Sequence, residues 1–165
     1  MHLDEGVLIA KKGSLTFLAY PISGIGWLEL YQNHLDPAVK SFKECFRLAS
    51  QKKDTISVFG LSASLDGFAE IAMRNNQPES AVRLLSAAGN LREKFYLAIF
   101  PFPLDNHENN IADARAALGE AAFDTAWAEG RALILPPFDS AQGDSGPALE
   151  RAIEYALRKE TDVEN

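Results

Sequence analysis

The stretch from Leu65 to Glu93, LDGFAEIAMRNNQPESAVRLLSAAGNLRE, reads as one helix, a tight corner and a second helix. In each helix, apolar and small residues recur at helical spacing along one face. These residues are Leu65, Phe68, Ala69 and Ala72 in the first helix, and Ala81, Leu84, Leu85 and Ala88 in the second. Pro78 follows the corner and is able to occupy the first helical position. Such a hairpin cannot bury its apolar face alone, so we expect neighbours of the same shape.

The stretch from Ile22 to Ala49 has the same layout, 43 residues earlier in the chain. Ala38 corresponds to Ala81, and Phe42 corresponds to Leu85. The tetratricopeptide (TPR) pattern requires a small residue in the first helix and an A-x3-F step in the second, and both are present. The Trp and Tyr positions of that pattern do not hold. The sequence therefore predicts an all-α fold of right-handed stacked helical hairpins, a TPR-like superhelix.

The charge, the cysteine content and the lengths of the apolar stretches argue against several classes of protein. The formal net charge of −7 and the pI near 5.0 disfavour direct binding to nucleic acid, which requires clustered Lys and Arg. Cys45 is the sole cysteine, so an internal disulfide and a zinc cluster are excluded. No stretch reaches the roughly 18 to 20 apolar residues of a membrane span, and the first residues lack a signal-peptide layout. A cytoplasmic protein without a cofactor is the expectation.

Turn residues and helical periodicity divide the chain into three parts. Residues 1–133 are predicted to form the helical array, residues 134–147 a mobile loop rich in Pro, Gly, Ser and Asp, and residues 148–160 a terminal helix packed on the array. Pro21 is expected to kink the helix that contains it, and Asp36 is expected to cap the helix that begins at Pro37. The helices are expected over residues 3–12, 15–31, 37–50, 55–74, 78–98, 107–118 and 120–133.

The later part of the chain resembles a known family. The segments ESAVRLLSAAGNLRE (79–93), ADARAALGEAAFDTAWAEGRAL (112–133) and ALERAIEYALR (148–158) are similar to the C-terminal TPR-like region of bacterial LuxR-type regulators and AAA- or STAND-type signalling ATPases. In that family the helical region follows the ATPase module and acts as a sensor or scaffold. No Walker A motif and no helix-turn-helix occur here, so the resemblance implies a fragment whose nucleotide-binding and DNA-binding modules lie elsewhere in the full-length parent.

Several short motifs suggest chemistry, but each has a simpler interpretation. The GDSG segment at residues 143–146 resembles a serine-protease motif, yet it falls in a predicted loop without a histidine base. The three histidines, His2, His34 and His107, are isolated and are interpreted as surface or corner residues. Cys45 follows Phe42 by about one helical turn, which indicates a buried thiol between helices. No pair of base and nucleophile is evident, so an enzyme, such as a hydrolase, is the least favoured class.

The concave face of the predicted array is the candidate binding site. In stacked hairpins the first helix of each pair lines this face. Aromatic rings there could stack on a peptide, and charged groups could pair with it. The candidate residues are Tyr20, Trp27, Tyr31, Asp66, Glu70 and Arg74. The alternative is that the adjacent hairpin, or residues 99–104, covers these aromatic side chains.

These observations predict a non-catalytic interaction or sensor module that binds a peptide segment or an effector on its concave face, with a protein or peptide as partner. The alternative is a structural module that forms a homodimer through an exposed end of the array, because uncapped ends expose apolar surface.

Overall fold

The structure of this protein is a computed structural model, and it describes residues 18–49, 55–95 and 104–133. Within these ranges the chain is helical and contains no strand, which confirms the predicted all-α class. The predicted segments 3–12, 134–147 and 148–160 lie outside the described residues. The helices are α1 (Ala19–Tyr31), α2 (Leu35–Ala49), α3 (Thr55–Arg74), α4 (Pro78–Lys94), α5 (Leu104–Leu118) and α6 (Glu120–Ala132).

The corners of the first two hairpins have the same geometry, 43 residues apart. Asn33 and Asn76 both adopt a left-handed conformation, with φ of 62° and 57°. Asparagine tolerates this conformation better than most residues do. The amide that follows each asparagine donates to a carbonyl five residues earlier, from His34 to Glu29 at 2.8 Å and from Gln77 to Ala72 at 2.9 Å. The repeat seen in the sequence is therefore also a repeat of backbone hydrogen bonds.

Three predicted helix starts differ from the structure by a few residues. Helix α1 begins at Ala19, so Pro21 lies in the first turn, where its missing N–H has no intrahelical partner to lose and no kink is needed. Helix α2 begins at Leu35, so Asp36 lies inside the first turn and is not the N-cap. Its carboxylate is still favourable there because helix N-termini carry positive partial charge. Helix α5 begins at Leu104, three residues earlier than expected.

Helix α3 is the centre of the described fold and contacts α1, α2, α4 and α5. Its turns between Val58 and Ala69 are buried on nearly every side. A helix surrounded in this way needs small residues where its neighbours approach closely. Gly67 serves that purpose, because a Cβ atom added there would lie 2.3 Å from the Phe42 ring.

The ring of Phe42 packs between the two hairpins. It comes from α2 and packs against Gly26 on α1, where an added Cβ would lie 2.5 Å from the ring. It meets the ring of Trp27 edge-on with centroids 5.9 Å apart, and that of Phe68 with centroids 5.6 Å apart. Ala38 and Ala81 are fully buried on the partner helices, as the repeat predicts.

The thiol of Cys45 is buried between α1 and α2, which confirms the sequence interpretation. Its Sγ donates to the carbonyl oxygen of Ala19 at 3.0 Å. Burial raises the pKa of this thiol to about 12, so the thiolate, which is the reactive form, is scarce at neutral pH. The cysteine is a packing residue.

Candidate functional site

Helices α1 and α5 both pack against α3. Their hydrogen bonds to α3 join residues in ascending order on both helices, so the three helices run in the same direction. The indole Nε1 of Trp27 donates to the carbonyl oxygen of Ala63 at 3.0 Å, which fixes α1 against α3. Three residues further along α1, the carbonyl oxygen of Leu30 accepts a hydrogen bond from the Nη1 atom of Arg74 at 3.3 Å. Helix α5 lies on the next side of α3 and on α4. The predicted binding surface is therefore next to a helix of the same chain.

Three charged or polar side chains from three helices meet at Asp66. The carboxylate of Asp66 on α3 is 1% exposed. Nη1 of Arg92, on α4, donates to its Oδ2 atom at 2.6 Å. The imidazole Nδ1 of His107, on α5, lies 2.7 Å from its Oδ1 atom. Both oxygens of the buried carboxylate are thus satisfied, as a buried charge requires.

The environment of Asp66 favours its ionised form. Burial by itself raises the pKa of a carboxyl group, because it removes water from the charge. The guanidinium of Arg92 and the imidazole of His107 act in the opposite direction and outweigh burial, so the pKa of Asp66 lies below its ordinary value of 3.8. The site is therefore built around a permanent negative charge in the interior.

The hydrogen-bond partners also orient the imidazole of His107. With a proton on Nδ1, the ring donates to Asp66 and leaves Nε2 as an acceptor. Nη2 of Arg92 lies 3.2 Å from that Nε2 atom and 2.8 Å from Nδ1. Both ring nitrogens consequently face protein groups.

A second set of polar contacts lies one helical turn further along α3. Glu70 forms an ion pair with Arg74 at 2.8 Å through Oε1. Its other oxygen, Oε2, accepts a hydrogen bond from Nδ2 of Asn110 on α5 at 2.9 Å. At the end of α1, Nδ2 of Asn106 donates to the hydroxyl oxygen of Tyr31 at 3.2 Å. We call the surface formed by Tyr31, Asp66, Glu70, Arg74 and Arg92 the polar face.

The structure brings together four of the six predicted site residues, Tyr31, Asp66, Glu70 and Arg74. Trp27 is 1% exposed and packs in the core, so its ring is not presented at the surface. Tyr20 lies at the opposite end of α1 and meets the ring of Phe59 edge-on, with centroids 4.9 Å apart. Of the three predicted aromatic side chains, only Tyr31 therefore lies with the charged residues of the site. Trp27 is covered by the rest of the protein, as the alternative interpretation expected.

Sequence reasoning missed Arg92, His107 and Asn110. The interpretation of His107 as a surface residue is wrong, because its imidazole is buried against Asp66. A signal was present on α3, where Asp66 interrupts a run of small and apolar residues that is otherwise suited to burial. A carboxylate in such a run demands a buried partner, but the sequence does not say which cation or donor supplies it.

Both ring nitrogens of His107 lie close to other groups of the protein. A catalytic histidine needs one ring nitrogen free to exchange a proton with a nucleophile or substrate. Within the described ranges, Asp66 and Arg92 are the hydrogen-bond partners of His107. The described residues also include no cluster of three or more His, Cys, Asp or Glu that could hold a metal ion.

None of the described helices combines the length and the apolar character that crossing a membrane requires. No protein-family model matches the chain, and comparisons with curated proteins and with solved structures found no significant match. The resemblance to helical regions of bacterial regulators accordingly stays a prediction.

Proposed function

We propose that this chain is a non-catalytic interaction module that recognises a helical protein segment on its polar face. The observation that carries the proposal is the pairing between α3 and α5. Two acceptors on α3, Asp66 and Glu70, receive hydrogen bonds from two donors on α5, His107 and Asn110. A surface that accommodates one helix through matched donors and acceptors has the geometry needed to recognise another.

We also propose that the helices form a TPR-like stack and that the chain belongs to a longer parent protein. The common corner geometry and the parallel course of α1, α3 and α5 support a TPR-like stack, in which α1 and α3 line the inner surface. The same region in bacterial regulators that this chain resembles acts as a sensor or scaffold for a nucleotide-binding module. We therefore propose that the bound state of the polar face is passed to such a module of a longer parent protein.

Peptide selection on the folded chain tests the proposal. We expect that helical peptides selected from a displayed library bind at least about tenfold more weakly to the Tyr31→Ala and Glu70→Gln variants, because each loses a contact at the polar face. The control is Arg47→Ala on α2, where the guanidinium pairs with Glu44 of the same helix. Affinities would be measured by fluorescence anisotropy. Equal binding to all four proteins would contradict a recognition role for this face.

A homodimer is the second candidate, and an apolar stripe along α1 favours it. Tyr20 and Leu28 on α1 are 41% and 43% exposed, and they flank Gly24, where an added Cβ would meet nothing within 4 Å. Tyr31, which is 53% exposed, extends this apolar stripe. Apolar stripes of this kind are common at interfaces between proteins.

The stripe predicts a concentration-dependent dimer. We expect light scattering to show the mass rising from monomer towards dimer with concentration, and Leu28→Glu to abolish the rise because it places a charge in the contact. Lys43→Glu on the exposed side of α2 is the control and should leave the mass curve unchanged. A monomer at every concentration would exclude the dimer and leave the peptide-binding proposal in place.

A further inference from the structure

The two halves of α5 are attached to the rest of the molecule by different kinds of contact. In its C-terminal half, Ala114 and Leu118 belong to an apolar cluster with Val82 of α4 and Phe123 of α6. In its N-terminal half, the side chains of Asn106, His107 and Asn110 make hydrogen bonds to α1, α3 and α4. A competing helix that carries hydrogen-bond donors at the same positions would satisfy the same acceptors of α3.

The hydrogen bonds follow a simple spatial rule. Asp66 and Glu70 are four residues apart on α3, which places their carboxylates about one turn, or ~5 to 6 Å, apart. His107 and Asn110 are three residues apart on α5 and face the two carboxylates in the same order. A helix that lies parallel to α3 therefore satisfies both acceptors if it carries hydrogen-bond donors at positions i and i+3.

The face also rejects some sequences. A carboxylate in place of the Asn110 amide would meet Glu70 at hydrogen-bond distance, and like charges this close repel each other. The ionic partners on the receiving side are fixed within the molecule, because Arg92 stays paired with Asp66 and Arg74 with Glu70. The requirement for a donor is thus specific and does not ask for a cation.

We infer that the N-terminal half of α5 is an internal occupant of a helix-binding groove, and that the external ligand of this groove is a helix with hydrogen-bond donors at positions i and i+3 that face Asp66 and Glu70. This inference rests on the proposed function and names its class of partner. Helix α5 competes with that partner, so the apparent affinity is reduced by the fraction of molecules in which α5 is bound.

The test uses the full-length chain and a fluorescent peptide that reproduces α5, LDNHENNIADARAAL (residues 104–118). We expect the chain with His107→Ala and Asn110→Ala together to bind this peptide at least about tenfold more tightly than the wild-type chain does, because its own α5 competes poorly. The Asn110→Ala chain, which loses one hydrogen bond, should fall between them. If circular dichroism shows that the double variant does not fold, the comparison between the Asn110→Ala chain and the wild-type chain replaces it.

Two control peptides define the chemistry. A peptide with alanine at both donor positions should bind the His107→Ala and Asn110→Ala double variant at least about tenfold more weakly than the native peptide does. A peptide with Asn110→Asp should bind more weakly still, because it brings a second carboxylate to Glu70. Equal binding of the native peptide by the wild-type and variant chains would overturn the inference, and so would equal binding of the three peptides. Library peptides that depend on Tyr31 and Glu70 would still support the proposed function in that case, so the two failures are distinguishable.

Discussion

Replacing Asp66 by asparagine is expected to lower the free energy of unfolding by about 3 kcal/mol at pH 7, because it removes the anion from a buried ion pair. Of its two partners, Arg92 has a side chain that is 17% exposed, and its guanidinium would lose its counter-charge. Urea denaturation of the wild-type and Asp66→Asn chains gives this difference directly. The matched control is Glu93→Gln, which breaks an exposed ion pair with Arg131 and should cost less than about 1 kcal/mol.

The stabilisation by Asp66 depends on pH, and the direction of its pKa shift sets the sign of that dependence. The pKa of Asp66 is lower in the folded protein than its ordinary value of 3.8. The ionised carboxylate therefore stabilises the fold fully above about pH 3.8, and this contribution is lost as the pH falls below that value. The difference between the wild type and Asp66→Asn should shrink as the pH falls below about 3.8. A difference under about 1 kcal/mol at pH 7 would contradict the role given to the ion pair.

Replacing Phe42 by alanine is expected to cost about 3 to 5 kcal/mol, the largest loss that we predict. Its ring is fully buried and touches both hairpins, so removing it leaves a cavity whose walls belong to α1, α2 and α3. Thermal or urea unfolding of the variant would measure the loss. A loss below about 2 kcal/mol would mean that the helices collapse into the cavity.

A double-mutant cycle with Gly67 separates packing from general damage to the fold. Gly67→Ala alone should destabilise by about 1 to 3 kcal/mol, because its Cβ would overlap the Phe42 ring. In the Phe42→Ala chain the same substitution should be neutral or stabilising, since the ring is gone and alanine favours the helix by up to about 1 kcal/mol over glycine. Additive losses would show that the two positions do not share this contact.

The predictions for Asp66 and for Phe42 test contacts on two different sides of α3. On the side of α3 that faces Phe42, glycine permits close approach and the contact is apolar. On the side that faces α5, Asp66 and Glu70 supply acceptors and the contact is polar. If α5 is exchangeable, Phe42→Ala should weaken the whole described fold, whereas His107→Ala should act mainly on the attachment of α5.

Much of the fold could be predicted because it depends on local spacing. The positions of α3 and α4 and the burial of Ala38 and Ala81 all follow from apolar periodicity and turn residues. The starts of α1 and α2 were predicted less well. Proline is compatible with any position in a first turn, and its presence does not mark which of them it occupies.

The candidate site depends on contacts that are distant in sequence. Asp66 meets Arg92 and His107 across 26 and 41 residues, and no local pattern indicates these pairings. Sequence by itself determined which residues lie on a common helical face, because helical periodicity is a property of neighbouring residues. Tertiary structure alone decided that Trp27 is buried and that His107 binds Asp66, because those outcomes depend on which helix lies against α1 and α3.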